Sequence, residues 1–160
     1  MEYGRINTEI LQQFISICGE NNVITEAALL QNYSHDYTED LSFLPEVVAK
    51  PSSSEEISSL LKICNKYLIP VTPRGAGTGL SGGALPVFGG LVISMERFNK
   101  ILDIDERNLQ ATVEPGVINQ VFQEAQLLVV GIIFRHRIRP LSGRNPWKQD
   151  RISWRHRRLT

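Results

Sequence analysis

The sequence predicts a single α+β domain, and three observations predict it. Helical periodicity comes first, a strand–helix–strand stretch follows, and a hairpin closes the order, so strands and helices do not alternate as in a doubly wound sheet. The chain has 160 residues and is 42% hydrophobic, enough for one packed core and too apolar for global disorder. No apolar run approaches the roughly 18 residues of a membrane helix. Met1-Glu2-Tyr3-Gly4-Arg5 lacks the basic and apolar regions of a secretory leader. Cys18 and Cys64 are too few for a disulfide framework and too far apart for a zinc knuckle. No metal ligand set is expected, and a reducing cytoplasm is the expected compartment.

The elements follow in order. Thr8 to Gly19 puts Ile10, Leu11, Phe14, Ile15 and Ile17 mostly on one helical face, with Gly19 as the stop. Thr25 is placed to cap a second short helix, Glu26 to Gln31. Asn32 to Ser42 is polar and irregular, and His35 within it reads as a solvated loop histidine rather than a catalytic one. Glu46 to Lys50 is a short strand behind Pro45. Pro51 to Glu56 starts a helix: Ser52 or Ser53 can accept from a free backbone N–H, and Glu55 and Glu56 sit at the positive end of the dipole. Ile57, Leu60, Leu61, Cys64 and Leu68 continue its apolar face to about Tyr67, with Cys64 as one more core residue. Ile69 to Pro73 is a strand with prolines at its edges. Leu91 to Met95 is another. Lys100 to Asp105 and Leu109 to Val113 make a hairpin across Asp105-Glu106-Arg107-Asn108. Glu114-Pro115-Gly116 is a turn. It leads to a helix over Val117 to Leu127, with Val117, Val121, Phe122 and Ala125 facing inward.

The chemistry concentrates between Arg74 and Ala84, where seven of eleven residues are Gly, Thr or Ser. Gly77-Thr78-Gly79-Leu80-Ser81-Gly82 matches the dinucleotide string G-x-G-x-x-G. That mechanism needs the loop to open a helix whose N-terminus carries the pyrophosphate, and no helix of useful length fits before Leu91. A Walker loop fails as well, because no Lys-Ser or Lys-Thr pair follows the last glycine. The remaining physical reading is a phosphate cradle without a helix. Glycines allow positive φ and close approach, and successive N–H groups converge on an anion as in a nest. Arg74 balances charge at the entrance, and Thr78 and Ser81 add hydroxyl donors.

The run Pro70 to Gly83 resembles the first FAD-binding motif of the FAD-linked oxidase superfamily, the vanillyl-alcohol-oxidase or PCMH type. Within it the likeness is to glycolate oxidase D subunits and to D-lactate and D-2-hydroxyglutarate dehydrogenases. Further matches are His35-Asp36-Tyr37-Thr38-Glu39-Asp40, Pro45 to Val48, Pro51 with Glu55-Glu56-Ile57, Met95 to Lys100, and Val113 to Val117, so the likeness spans residues 28–126. It implies the first subdomain of a PCMH-type FAD-binding domain, truncated. The implied division is N-terminal helices and loop over 1–42, a partial FAD domain over 43–128, and a non-matching basic tail over 129–160.

The resemblance carries FAD-binding roles onto Pro73, Arg74, Gly75, Ala76, Gly77, Thr78, Gly79, Leu80, Ser81 and Gly82 around the pyrophosphate. It carries Glu114, Pro115 and Gly116 onto the adenine side. Some relatives tether the flavin through a histidine in this loop; Gly77, Thr78 and Gly79 offer none, so non-covalent FAD is expected. The implied activity is oxidation of a 2-hydroxy acid to a 2-oxo acid in a full-length relative, with FAD accepting the hydride. No catalytic residue is expected within this chain. Binding of FAD by half a site is expected to be weak, with exposed apolar surface and a tendency to aggregate.

Charge divides the chain. Residues 1–134 hold 8 Lys+Arg against 16 Asp+Glu, a net of −8, and residues 135–160 hold 9 against Asp150 alone, a net of +8. The tail carries eight arginines and both tryptophans, Trp147 and Trp154. A reading-frame change in an oxidase gene accounts for the loss of motif together with the charge swing. The alternatives are a basic arm that contacts nucleic acid, which would make the chain a non-enzymatic binding module, and a membrane-surface or partner-docking tail.

Overall fold

A computed structural model describes residues 3–38, 40–108 and 110–130, with side chains described as far as Ala125. The basic tail, and with it every expectation for residues 131–160, lies outside the described residues.

Four strands form the main sheet: β1 (Val23–Ile24), β2 (Val47–Ala49), β3 (Val71–Arg74) and β4 (Leu91–Ser94). Their order is β1-β2-β4-β3; β4 is parallel to both its neighbours, and β1 is antiparallel to β2. The register sets Val47 beside Leu91 and Val71 beside Leu91, so the three parallel strands begin together, with β3 and β4 running one residue beyond β2. A separate hairpin, β5 (Ile101–Asp105) and β6 (Gln110–Val113), follows.

Both faces of the two central strands are covered. Val47, Ala49, Leu91 and Ile93 point to α1 (Thr8–Cys18) and α3 (Ser54–Lys66), where Ile10, Phe14, Cys18, Leu60 and Cys64 complete the core. Val48 and Val92 point the other way, against Leu30 of α2 (Ala27–Leu30) and Tyr33. Strands buried on two sides read as unbroken apolar runs, which is why Val47-Val48-Ala49 and Leu91-Val92-Ile93 lack polar alternation.

Local chemistry sets the boundaries. Ser53 Oγ accepts from Glu56 N at 3.2 Å, and the Glu56 carboxylate accepts in return from Ser52 N at 2.7 Å. This reciprocal cap is worth about 1 kcal/mol. Gly19 ends α1 at φ 85°. Thr25 does not cap α2: Glu26 holds that position without a side-chain bond, and its carbonyl alone receives Leu29 N and Leu30 N. A single turn results, continued by a 3₁₀ turn over Gln31–Tyr33. β3 starts at Val71, because the Pro70 carbonyl is taken by Leu91 N and Pro70 itself has no N–H to give. Pro73 is tolerated inside β3, which is an edge strand. α4 (Asn119–Val130) begins two residues later than the sequence suggests. It packs on β5, and Val121, expected to face inward, is half exposed.

Candidate functional site

Parallel strands require a crossover, usually a helix. Between β3 and β4 the chain instead runs through residues 75–90, sixteen residues without helix or strand. Helix-free loops of this length inside compact domains are uncommon and usually functional. The loop leaves the carboxyl end of β3, and β4 ends at the same edge, where α/β sheets place their ligands.

At that edge lies a cleft of about 720 Å³. Its lining comes from Arg74, Gly75 and Ala76 at the start of the loop, from Gly116, Val117, Ile118 and Val121 after β6, and from Tyr33, Glu96 and Asn99. The two motifs singled out in the sequence therefore meet: a Cβ added to Gly75 would lie 3.6 Å from the Pro115 carbonyl oxygen. Gly116 is pressed so close to the Met95 and Phe98 carbonyls that a Cβ would stand 2.2 and 2.7 Å from their oxygens.

The loop is built for main-chain donation. Among the described residues, no acceptor is hydrogen-bonded to the amides of Gly75, Ala76, Gly77, Thr78, Gly79, Leu80 or Ser81. Gly77 has φ 69°, and a Cβ there would sit 2.2 Å from Arg74 Nη2. Arg74 is only 8% exposed, folded beneath Gly77 and over the Tyr33 ring at 5.6 Å. Its Nη2 donates to the Asn32 carbonyl at 3.3 Å, while Nη1 has no partner. Burial pulls the guanidinium below its ordinary value, and the charge of Asp36 opposes that pull. A buried, orphaned guanidinium N–H beside a run of free amides fits a phosphate-bearing group.

Not every expected residue takes part alike. Arg74, Gly75, Ala76 and Gly116 line the cleft. Gly77 through Gly82 continue the loop above Arg74, and Pro73 is exposed in the edge strand. The Glu114 carboxylate is already engaged, accepting from Lys100 N at 2.8 Å. His35 is exposed.

Sequence reasoning gave no role to Tyr33, Asp36, Glu96 or Asn99. Glu96 accepts from Tyr33 Oη at 2.6 Å, Ser94 Oγ at 3.0 Å and Lys50 Nζ at 2.8 Å. Burial pushes its carboxyl up, but these three bonds outweigh burial and hold it below the ordinary carboxylate value. Burial and the bond to Glu96 raise the Tyr33 phenol. Glu96 and Asp36 were visible only as members of longer matching strings; no single-residue signal marked them.

A helix-free run of free amides with a buried arginine, at the carboxyl ends of parallel strands, has the chemistry to receive a phosphate-bearing cofactor. Comparison with known families gives the cofactor: the family described as FAD binding domain matches residues 45–132, and this chain belongs to it. The chain is 42% identical over 113 residues to the glycolate oxidase subunit GlcD of Bacillus subtilis, covering 71% of this chain and 24% of that protein. It is 35% identical over 127 residues to the D-lactate dehydrogenase of Anaerostipes hadrus, covering 78% and 26%. The solved structure of p-cresol methylhydroxylase with substrate bound superposes with a TM-score of 0.68 at 27% identity, covering 75% of this chain and 24% of that one. The chain thus spans about a quarter of the length of the relatives it matches. The expected PCMH-type α+β fold and the FAD assignment are shown by these matches. No helix among the described residues is long and apolar enough to cross a membrane.

Proposed function

We propose that this chain forms the pyrophosphate-side part of the FAD site of a flavin-dependent 2-hydroxy-acid oxidoreductase. The observation that carries the proposal is the helix-free crossover over residues 75–90, with the amides of Gly75 to Ser81 free and Arg74 Nη1 unpartnered beneath them. Arg74 and the loop amides would hold the diphosphate, with Pro73 and Gly82 at the limits of the segment. Glu114, Pro115 and Gly116 would close the adenine side, Gly116 through its place in the cleft lining rather than Glu114 through its carboxylate. FAD, when bound, supplies hydride acceptance. The chain's own residues bind and orient. None of those lining the cleft is a free base placed for proton transfer, since the Glu96 carboxylate already accepts three hydrogen bonds. The relatives' names motivate the 2-hydroxy-acid substrate class.

The flavin is held without a covalent bond, because the loop from Arg74 to Ala84 contains no histidine or cysteine. Titration of FAD into the nitrogen-labelled chain, followed by amide NMR, tests the site. Shifts concentrated in residues 74–82 and 114–118 are expected, and shifts scattered over α1 and α3 would refute it. Flavin colour that survives in an acid-denatured pellet would refute non-covalent binding.

Two buried thiols, Cys18 and Cys64, are free and suit a reducing cytoplasm. For the tail, expected over 129–160, we propose a changed reading frame, on the charge reversal over 135–160; the family match runs to residue 132, four residues into that tail. If no shifted frame of that stretch of coding DNA encodes a second glycine-rich FAD motif, this reading fails. Should it fail, a steep salt dependence of DNA binding would favour the basic-arm alternative.

A further inference from the structure

The phosphate loop does not stand alone. The segment 32–38, which precedes the family match at residue 45, grips it from outside. Tyr37 N donates to the Gly79 carbonyl at 3.1 Å. Gly82 N donates to Thr38 Oγ1 at 2.7 Å. Thr38 is itself fixed, because its N–H donates to Asp36 Oδ1 at 2.7 Å. Asp36 is 8% exposed, and its other oxygen lies 3.7 Å from where a Cβ on Gly79 would be. At the inner end of the same segment, the Asn32 carbonyl and the Tyr33 ring hold the Arg74 guanidinium.

We infer that residues 36–38 are a brace that sets the shape of the phosphate loop, with Thr38 as the positioning residue and Asp36 holding Thr38 in place. The physical reason is entropic. A glycine-rich loop has many conformations of similar energy, and each must be surrendered when an anion binds. Two anchors at Gly79 and Gly82 use one carbonyl and one amide of the loop, and leave the amides of Gly75 to Ser81 available. Pre-ordering the loop in this way lowers the entropy lost on binding without adding any contact to the ligand. The inference rests on the reading of residues 75–81 as the cradle for the FAD phosphates.

The variants Thr38→Val and Thr38→Ser separate the brace from bulk stability. Valine keeps the volume and loses the acceptor; serine keeps the acceptor. Thr38 belongs to neither core cluster, so Thr38→Ser should keep the parent melting temperature and Thr38→Val should fall by no more than the few degrees that one hydrogen bond is worth. Amide hydrogen exchange by NMR is read first, without FAD. Losing one hydrogen bond of ordinary strength should speed exchange at Gly82 roughly fivefold in Thr38→Val and leave it unchanged in Thr38→Ser. FAD titration is read second, and the valine variant should bind roughly fivefold more weakly, with serine restoring the affinity. Equal exchange at Gly82 in all three proteins would overturn the brace, whatever FAD does. Exchange that responds as expected while the parent chain shows no loop shifts with FAD would uphold the brace and sink the flavin reading. If Thr38→Val melts early, Asp36→Asn, which keeps an acceptor for Thr38 N, should match the parent in exchange; accelerated exchange there would overturn the order of action.

Discussion

Gly116→Ala probes the joint on which the cleft is built. Gly116 N donates to the Phe98 carbonyl at 2.7 Å, which fastens the turn after β6 to the exit of β4. An added Cβ would lie 2.2 Å from the Met95 oxygen and 2.7 Å from the Phe98 oxygen. Both obstacles are backbone, so no rotamer change relieves them; the turn must lift away. Overpacking of this kind costs about 1–3 kcal/mol. Lifting the turn also forfeits the bond to Phe98, worth about 1 kcal/mol. The total of about 2–4 kcal/mol corresponds to a fall in melting temperature of about 5–15 °C for a chain of this size. Gly83→Ala is the control, because a Cβ there meets nothing within 4 Å. It should stay within about 0.5 kcal/mol of the parent. Thermal unfolding by circular dichroism decides: if the two alanine variants melt together, the 114–116 turn is not seated as described, and the cleft loses that part of its lining.

Three further outcomes are expected. Arg74→Met should leave the melting temperature unchanged or raise it, since it removes a buried, half-satisfied guanidinium, yet weaken FAD binding by about tenfold in NMR titration. Loss of stability with unchanged FAD affinity would show that Arg74 is only structural. Glu96 has its carboxyl held below the ordinary value of 4.5, so its contribution to stability is present above that pH and lost as pH falls through the lower folded value. The melting difference between parent and Glu96→Gln should therefore be largest near neutrality and shrink as pH falls below 4.5 through the lowered folded value; a constant difference would contradict the bonding described. Burial pushes the thiols of Cys18 and Cys64 up to about 11, so iodoacetamide at pH 8 should label neither in the folded chain and both in guanidinium.

Much of this arrangement was legible in the amino-acid order, for identifiable reasons. Ser53 with Glu55 and Glu56 announces α3, because capping is a local matter of hydroxyl and amide. The apolar runs Val47-Val48-Ala49 and Leu91-Val92-Ile93 announce central strands, though not their order. That β4 inserts between β2 and β3 depends on contacts between distant residues, and no local pattern encodes it. The glycine loop was legible because the sequence between Gly75 and Gly90 lacks any helical period, and the structure indeed has no helix there. The roles of Asp36, Thr38 and Glu96 were not. Each acts across more than 40 residues, on Gly82, Tyr33 or Lys50, except for the short contact of Asp36 with Thr38. The Val121 misassignment has the same origin: a helical face is apolar whether it meets a core or lines an open cleft, and Val121 lines the cleft.

The openness of the cradle bears directly on how tightly this chain holds FAD. Gly75, Ala76 and Thr78 to Ser81 are exposed, so their amides are hydrated in the free chain and incur no burial penalty. Each therefore yields only the net value of exchanging water for a phosphate oxygen, about 1 kcal/mol. Six such amides with one charge-assisted bond from Arg74 return about 7.5–9 kcal/mol at the most favourable. Association itself costs about 4–15 kcal/mol in lost freedom, before any loop ordering. Against the smallest of these costs the difference leaves at most about 5 kcal/mol, which places Kd no lower than roughly 0.2 mM. A site closed on both sides excludes water and raises the worth of every one of these bonds, whereas an open wall cannot. Equilibrium dialysis against FAD should accordingly show binding no tighter than about 0.2 mM by this chain, and retention at micromolar FAD would mean that the exposed loop gains more per amide than hydration permits.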